Sequence, residues 1–328
     1  MHNSLTRGEG DPGTMKPSVS VICPTHDRAY FLSGCVAPLM DLNQMDVEFL
    51  IVDDASGDNT REVVHDLQRR YGEDHVVLIH LEKNSGAQLA RNRGMEKARG
   101  GMILFCDSDD VLVASGVDEL VDALNQNPDL DYAYGKVVMS DASLKPLGGV
   151  KPIGSCFEDS PVEMAGYHWH TMGALYRKDF LAKVGPWNPA LTGSQDWEYQ
   201  ARVKLAGGRG LFVDTLVGYW RQHGGNRVGT KAFRPDYVRS VVTACNVILE
   251  RAGMAGRLDR SLRRRLAKKL IIHALESGAN NDQALRKLCL SQAVASVSND
   301  QIFFFLAIIL KHAPCYLDYK IYKKLIIN

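Results

Sequence analysis

The sequence predicts an α/β fold: a mostly parallel central sheet flanked by helices, followed by a helical carboxyl-terminal appendage. Three observations carry the prediction. Short apolar runs alternate four times with helix-length segments between residues 19 and 106. Those runs are apolar on both faces, as strands covered by helices on either side must be. From about residue 236 the strand pattern stops and helical spacing takes over.

Each element has its own signal. Val19–Cys23 is β-branched and stops at Pro24, which predicts a buried strand. Asp27–Asn43 carries Phe31, Leu32, Cys35, Val36, Leu39 and Met40 at near-helical spacing, disturbed by Pro38. Val47–Val52 predicts a second strand, ended by the turn formers of Asp53–Asp58. A helix follows over 60–71, then a strand over Val76–His80 and a helix over Ala87–Ala98 that Gly100 and Gly101 end. Met102–Cys106 is the fourth strand, running into Asp107-Ser108-Asp109-Asp110. Beyond it lie a helix over 116–127, strand-like runs at 131–139, 171–177 and 211–220, and a helix opening at Ser194–Glu198. Parallel sheets of this kind bind ligands outside the carboxyl ends of their strands. Asp53, Asp54, Asp107, Asp109 and Asp110 all fall at such ends.

The chain has 328 residues, enough for one large domain or two ordinary ones. The pattern divides it into a flexible tail (1–17), an α/β domain (18–230) and a helical region (231–328). Hydrophobic residues make up 45% and charged residues 23%, which excludes a disordered chain and a polytopic membrane protein. Lys plus Arg is 39 against 38 acids, a net charge of +1, so bulk nucleic-acid binding is excluded. The seven cysteines include no Cys-x-x-Cys pair. That argues against a structural zinc site or disulfide framework and for a reducing compartment. The amino-terminal residues lack an apolar signal segment, so a cytoplasmic location is expected.

Three carboxylates within 107–110 repel one another unless a cation sits among them, and hard oxygens suit Mg2+ or Mn2+. The same acids also read as a helix N-terminus, where the dipole favours them. Asp53-Asp54 reads as a ribose or base contact, or as an ordinary turn. Asn84–Gly94 sets backbone N–H groups and arginines at a helix start, facing a diphosphate or only solvent. Asp196 is a general-base candidate, but on its own it reads first as an ordinary N-terminal helix acid. His223 and Arg221 are candidates for metal and phosphate contacts. His168-Trp169-His170 reads either as a sugar-stacking platform or as the edge of the core.

In order along the chain, these residues resemble the inverting glycosyltransferases of family 2, with the GT-A fold, over about 19–226. Pro24-Thr25-His26-Asp27-Arg28 stands where the family usually has Pro-Thr-Tyr-Asn-Arg. Val52-Asp53-Asp54-Ala55-Ser56 is close to Val-Asp-Asp-Gly-Ser. Asn84-x-Gly86 and Ala90-Arg91-Asn92-x-Gly94 follow, then Asp107-Ser108-Asp109-Asp110 for Asp-x-Asp-Asp, and Gln195-Asp196-Trp197 for Glu-Asp-Trp. The resemblance implies an inverting, hexosyl-type transfer from a nucleotide-sugar, with a UDP-sugar favoured, to a glycan or lipid-linked glycan in cell-surface polysaccharide synthesis. Donor contacts would come from Pro24, Thr25, His26, Asp54, Asn84, Gly86, Arg91, Asp107 and Ser108. Asp109 and His223 would hold Mn2+ or Mg2+, and Asp196 would be the catalytic base. His168, Trp169, His170, Trp197 and Arg221 would meet the sugar or acceptor. His26 and Asp27 depart from Tyr and Asn, which leaves the nucleobase open.

Between Arg251 and Glu276 stand eight Lys/Arg and two acids, with Leu258, Leu262, Leu266 and Leu270 four apart. Ile302–Leu310 is a nine-residue apolar run, too short to span a bilayer, which takes about 20 residues. Together they predict either a packed helical cap or peripheral association with the inner face of the cytoplasmic membrane. Two rivals remain. Asp107-Ser108-Asp109-Asp110-Val111 also resembles the haloacid-dehalogenase-like phosphatase signature, but there the motif follows the first strand, and here three strand–helix units precede it. The other is a non-catalytic nucleotide-sugar-binding protein, which the retained Asp109 and Asp196 disfavour.

Overall fold

The computed structural model describes residues 17–41, 46–151, 169–222 and 233–297. The amino-terminal half runs β1 (Val19–Thr25), α1 (Ala29–Met40), β2 (Val47–Asp53), α2 (Thr60–Tyr71), β3 (Val76–His80), α3 (Ala87–Lys97), β4 (Met102–Phe105). Then come β5 (Val111–Leu112), α4 (Ala114–Gln126), β6 (Tyr132–Ser140), β7 (Pro146–Lys151), a 3₁₀ turn (Thr171–Gly173) and β8 (Ala174–Arg177). α5 (Lys178–Val184), α6 (Gln195–Leu205) and β9 (Gly210–Arg221) complete the sheet region. Three helices follow: α7 (Pro235–Met254), α8 (Arg260–Ala279) and α9 (Gln283–Ser296).

The strands form one sheet in the order β3-β2-β1-β4-β8-β6-β9-β5, with β7 paired to β6 beyond β8. The β3-β2-β1-β4 half is wholly parallel, as expected. The other half is mixed: β6 and β9 are parallel, whereas β8 runs antiparallel to both β4 and β6, and β5 to β9. The sheet as a whole is therefore mixed rather than mostly parallel. β8 follows directly on the 3₁₀ turn.

Strand alternation divides the core. Val21, Cys23, Phe49, Ile51 and Leu104 face α1, α2 and α4, while Ile22, Leu50, Val52, Ile103 and Phe105 face α3, α5 and α6. Both faces are covered, so every residue of β1 and β2 is buried. A third core joins α6 to α7, α8 and α9. In it Leu262, Leu266 and Leu270 are fully buried, so the leucine stripe seen in the sequence faces other helices. The described cysteines, Cys23, Cys35, Cys106, Cys245 and Cys289, are buried and unpaired. No described helix is long and apolar enough to cross a membrane. The basic part of α8 lies within the described residues; the 302–310 run and the tail over 1–16 lie outside them.

Candidate active site

β2, β1 and β4 are neighbours, so their carboxyl ends open onto one crevice. Three loops meet there and are stitched together by carboxylates. The Asp27 N–H donates to Ser56 Oγ at 3.0 Å, and the Gly57 N–H donates to Asp27 Oδ1 at 2.7 Å. The Asp54 carboxylate takes the N–H groups of Ser85 and Gly86, both at 2.7 Å. Asp54 therefore fixes the start of α3. His26 is half exposed beside it, with Nδ1 2.9 Å from the Asp54 carbonyl. Pro24 and Thr25 end β1, and the buried Thr25 Oγ1 has no partner among the described residues. Asn84 is exposed on the loop, and Gly86 takes φ +88°, a value that suits glycine. Asp27 and Ala55 hold positive φ (51° and 58°) without being glycine. Such strain persists where surrounding bonds over-determine it.

β4 delivers the second acidic cluster. Asp107 pairs with Arg91 at 2.6 Å. Burial works against its charge, but the Arg91 guanidinium more than offsets that, with His170 and Arg28 adding to it, so the carboxyl is held below its ordinary range. Asp109 pairs with Arg28. Asp110 is buried between the charges of Asp107 and Asp109, which pushes its carboxyl up, although it accepts the Arg221 N–H at 3.0 Å. Ser108 is buried within the turn. Arg221 ends β9, donates from Nε to the Asp109 carbonyl at 2.7 Å and lies over the Phe31 ring. Its side chain thus shapes the acidic turn.

Arg91 departs from the expected diphosphate contact. It is buried, bonded to Asp107 and, at 3.2 Å, to Gln195 Oε1, and stacked 4.6 Å over Trp187. Burial alone would lower its pKa, but Asp107 and the nearby Asp196 raise it, so it stays cationic. Gly94, one turn on, allows this placement: a Cβ there would come within 2.4 Å of Ile22. Arg91 thereby joins the acidic turn after β4 to the start of α6, where Asp196 is half-buried.

Two aromatic expectations are corrected. Trp169 is fully buried, its Nε1 donates to the Tyr176 hydroxyl at 2.8 Å, and it packs on Tyr132 and Tyr134. It is core and not a sugar platform. Trp197 is buried in the core shared with the carboxyl-terminal helices, under Lys269 at 4.4 Å, so it meets no acceptor. His170 stays at the site, near Asp107 and 5.2 Å from Trp220. His168 and His223 lie outside the described residues. Arg28 and Trp187 gained no role from the sequence, because the site residues they meet, Asp109 and Arg91, lie far from them along the chain.

Among the described residues no three metal-ligating side chains converge. A Mg2+ or Mn2+ site that fills most positions with phosphate oxygens and water needs only one or two carboxylates. Asp109 fits: it is a hard oxygen donor, nearly buried, at a position that already draws the positive charge of Arg28.

Residues 20–166 match the family model for glycosyl transferase family 2. A putative teichuronic acid biosynthesis glycosyltransferase, TuaG of Bacillus subtilis, is 40% identical over 95 residues. That stretch covers 29% of this chain and only 37% of the Bacillus protein. A PGL/p-HBAD biosynthesis glycosyltransferase of Mycobacterium tuberculosis is 26% identical over 187 residues, 57% of this chain and 69% of that protein. Among solved structures, Staphylococcus aureus TarS 1–349 in complex with UDP-GlcNAc superposes with a TM-score of 0.72 at 17% identity, covering 90% of this chain and 88% of that one. The mannosyltransferase PcManGT of Pyrobaculum calidifontis, in complex with GDP-Man and Mn2+, gives 0.51 at 15%, over 98% and 88%. Sheet order, the acids at the strand ends and the family match agree: the chain has the GT-A fold, and its residues 20–166 are similar to glycosyltransferase family 2.

Proposed function

We propose that the chain transfers a sugar, with inversion, from a nucleotide-sugar to a hydroxyl of a glycan or lipid-linked glycan. The observation that carries this reading is the Arg91 bridge, which brings a donor-side carboxylate, Asp107, beside an acceptor-side carboxylate, Asp196. In one displacement Asp196 takes the acceptor hydroxyl proton as that oxygen bonds to the anomeric carbon. The bond to the diphosphate breaks on the opposite face and its electrons leave with the nucleoside diphosphate. His26, Thr25 and the loop fixed by Asp54 form the nucleoside end of the crevice. Asp109, with His223 from outside the described residues, would hold a divalent cation, which offsets charge on the departing diphosphate.

A UDP-sugar is the favoured donor, in line with the UDP-GlcNAc complex of the structural neighbour. The relatives named for teichuronic acid and PGL/p-HBAD biosynthesis are in line with a role in polysaccharide or glycolipid synthesis, which we place at the cell surface and on the cytoplasmic side. A donor screen by mass spectrometry with Mn2+, over UDP-, GDP- and dTDP-sugars, identifies the substrate. Asp196→Asn should lower transfer by about 10² or more while leaving UDP binding intact; unchanged turnover sinks the reading. Asp109→Ala should weaken UDP binding in Mn2+ and leave metal-free binding unchanged by calorimetry. The basic α8 stretch favours peripheral membrane association. Co-sedimentation with anionic vesicles at low salt tests that, and a chain left in the supernatant excludes it.

A further inference from the structure

We infer that α7, the first helix of the carboxyl-terminal region, positions the catalytic base, and that Ser240 and Tyr237 are the residues that do so. The inference rests on the reading of Asp196 as that base. Asp196 is the second residue of α6, so its place is set by the turn Thr192-Gly193-Ser194 ahead of it. That turn is strained: Ser194, the helix N-cap, sits at φ 55° and ψ 23°, in the left-handed region. A non-glycine residue stays there only if something holds it.

What holds it is α7. Ser240 is buried, accepts the Gly193 N–H at 3.1 Å and donates to the Gly193 carbonyl at 2.6 Å, so one hydroxyl clamps both polar groups of one residue. Ser194 Oγ donates to the Tyr237 hydroxyl at 3.1 Å. Thr192 Oγ1 donates to the Asp236 carbonyl at 3.3 Å. The Tyr237 ring lies against Gly193, where a Cβ would come within 2.3 Å of it. Glycine is therefore required at 193 by close approach rather than by its own φ. The Ser194 carbonyl then accepts the Glu198 N–H at 3.1 Å, starting α6 one residue ahead of Gln195 and two ahead of Asp196. Arg91 holds the same start from the sheet side through Gln195. The base is thus gripped from two elements, one in the sheet domain and one in the carboxyl-terminal helices. Among the described residues, none of these bonds from α7 touches the donor loops after β1, β2 and β4.

The test separates the two grips. Ser240→Ala and Tyr237→Phe each remove one hydroxyl and no ring or backbone. Both variants are expected to melt within a few degrees of the parent and to bind UDP with Mn2+ as the parent does. Their kcat for transfer, with the donor found in the screen, should fall at least tenfold with donor KM unchanged. Hydrogen exchange of the 193–198 amides should quicken while that of 105–110 stays as it was. Full kcat in a folded variant overturns the inference, and so does a kcat loss matched by an equal loss of UDP affinity. If Ser240→Ala does not fold, Tyr237→Phe decides alone. If Asp196→Asn keeps its turnover, the base assignment falls, and hydrogen exchange still reports whether α7 holds the turn; unchanged exchange overturns that too.

Discussion

Glu48 shows how a single charged residue secures the frame behind the crevice. Its carboxylate is buried on β2 and accepts from Ser20 Oγ at 2.6 Å, the Arg99 N–H at 2.6 Å and Arg99 Nε at 2.7 Å. One group therefore ties β1, β2 and the turn entering β4. Burial works to raise its pKa, but the Ser20, Arg99 backbone and Arg99 guanidinium bonds more than offset it, and the carboxyl lies below its ordinary 4.5. A depressed folded pKa stabilises the fold above the unfolded value and ceases to do so as pH falls through the folded one. Glu48→Gln should thus cost about 1.5–3 kcal/mol near pH 7, as for a lost bond to a charged group. The gap to the parent in urea unfolding should shrink as pH drops below 4.5. A gap of the same size at pH 7 and pH 3 contradicts the assignment. The sequence offered no hint of this role, since an acid inside an apolar strand looks like an edge position until its partners are known.

At the scale of elements, what the sequence disclosed follows the strength of local periodicity. α2 over Thr60–Tyr71 and β3 over Val76–His80 lie where spacing predicts them, because each has a distinct apolar face or run. β5 has two residues, and β7 contains Gly148 and Gly149 at positive φ, so neither carries a period to detect. α5, seven residues long, is hidden for the same reason. The strand order was hidden for another reason. β8 sits between β4 and β6 through pairings such as Leu104 with Leu175, and no local pattern encodes which strand neighbours which. In the site, the acids stand at the strand ends as expected, whereas their partners were invisible. Arg28 meets Asp109 across 81 positions and Arg91 meets Gln195 across 104. The resemblance is what suggested the roles of the candidate site residues. Only packing shows that Trp169 and Trp197 are core and that Arg91 is a brace.

For the molecule as a whole, a net charge of +1 conceals an acid-lined crevice and a basic carboxyl-terminal region. The two are mechanically joined. Leu191, Trp197, Ala201 and Leu205 of the sheet domain share one core with Val241, Ile248, Leu262 and Leu266 of the helices. Removing everything after Arg234 would expose Leu191, Trp197 and Leu205 at once and delete the Ser240 clamp on Gly193. At roughly 1.5–3 kcal/mol for each large apolar side chain returned to water, the loss is comparable to the 5–15 kcal/mol that holds a typical domain together. The truncated chain, residues 1–234, should therefore bind a hydrophobic dye, lose its cooperative melt and show no sugar transfer. Adding the helices back as a separate chain, 235–328, should restore part of the melt if the shared core is what was missing. A truncated chain that melts cooperatively and transfers sugar at the parent rate would show that the helices are dispensable to the fold and to the base, contrary to the packing around Trp197.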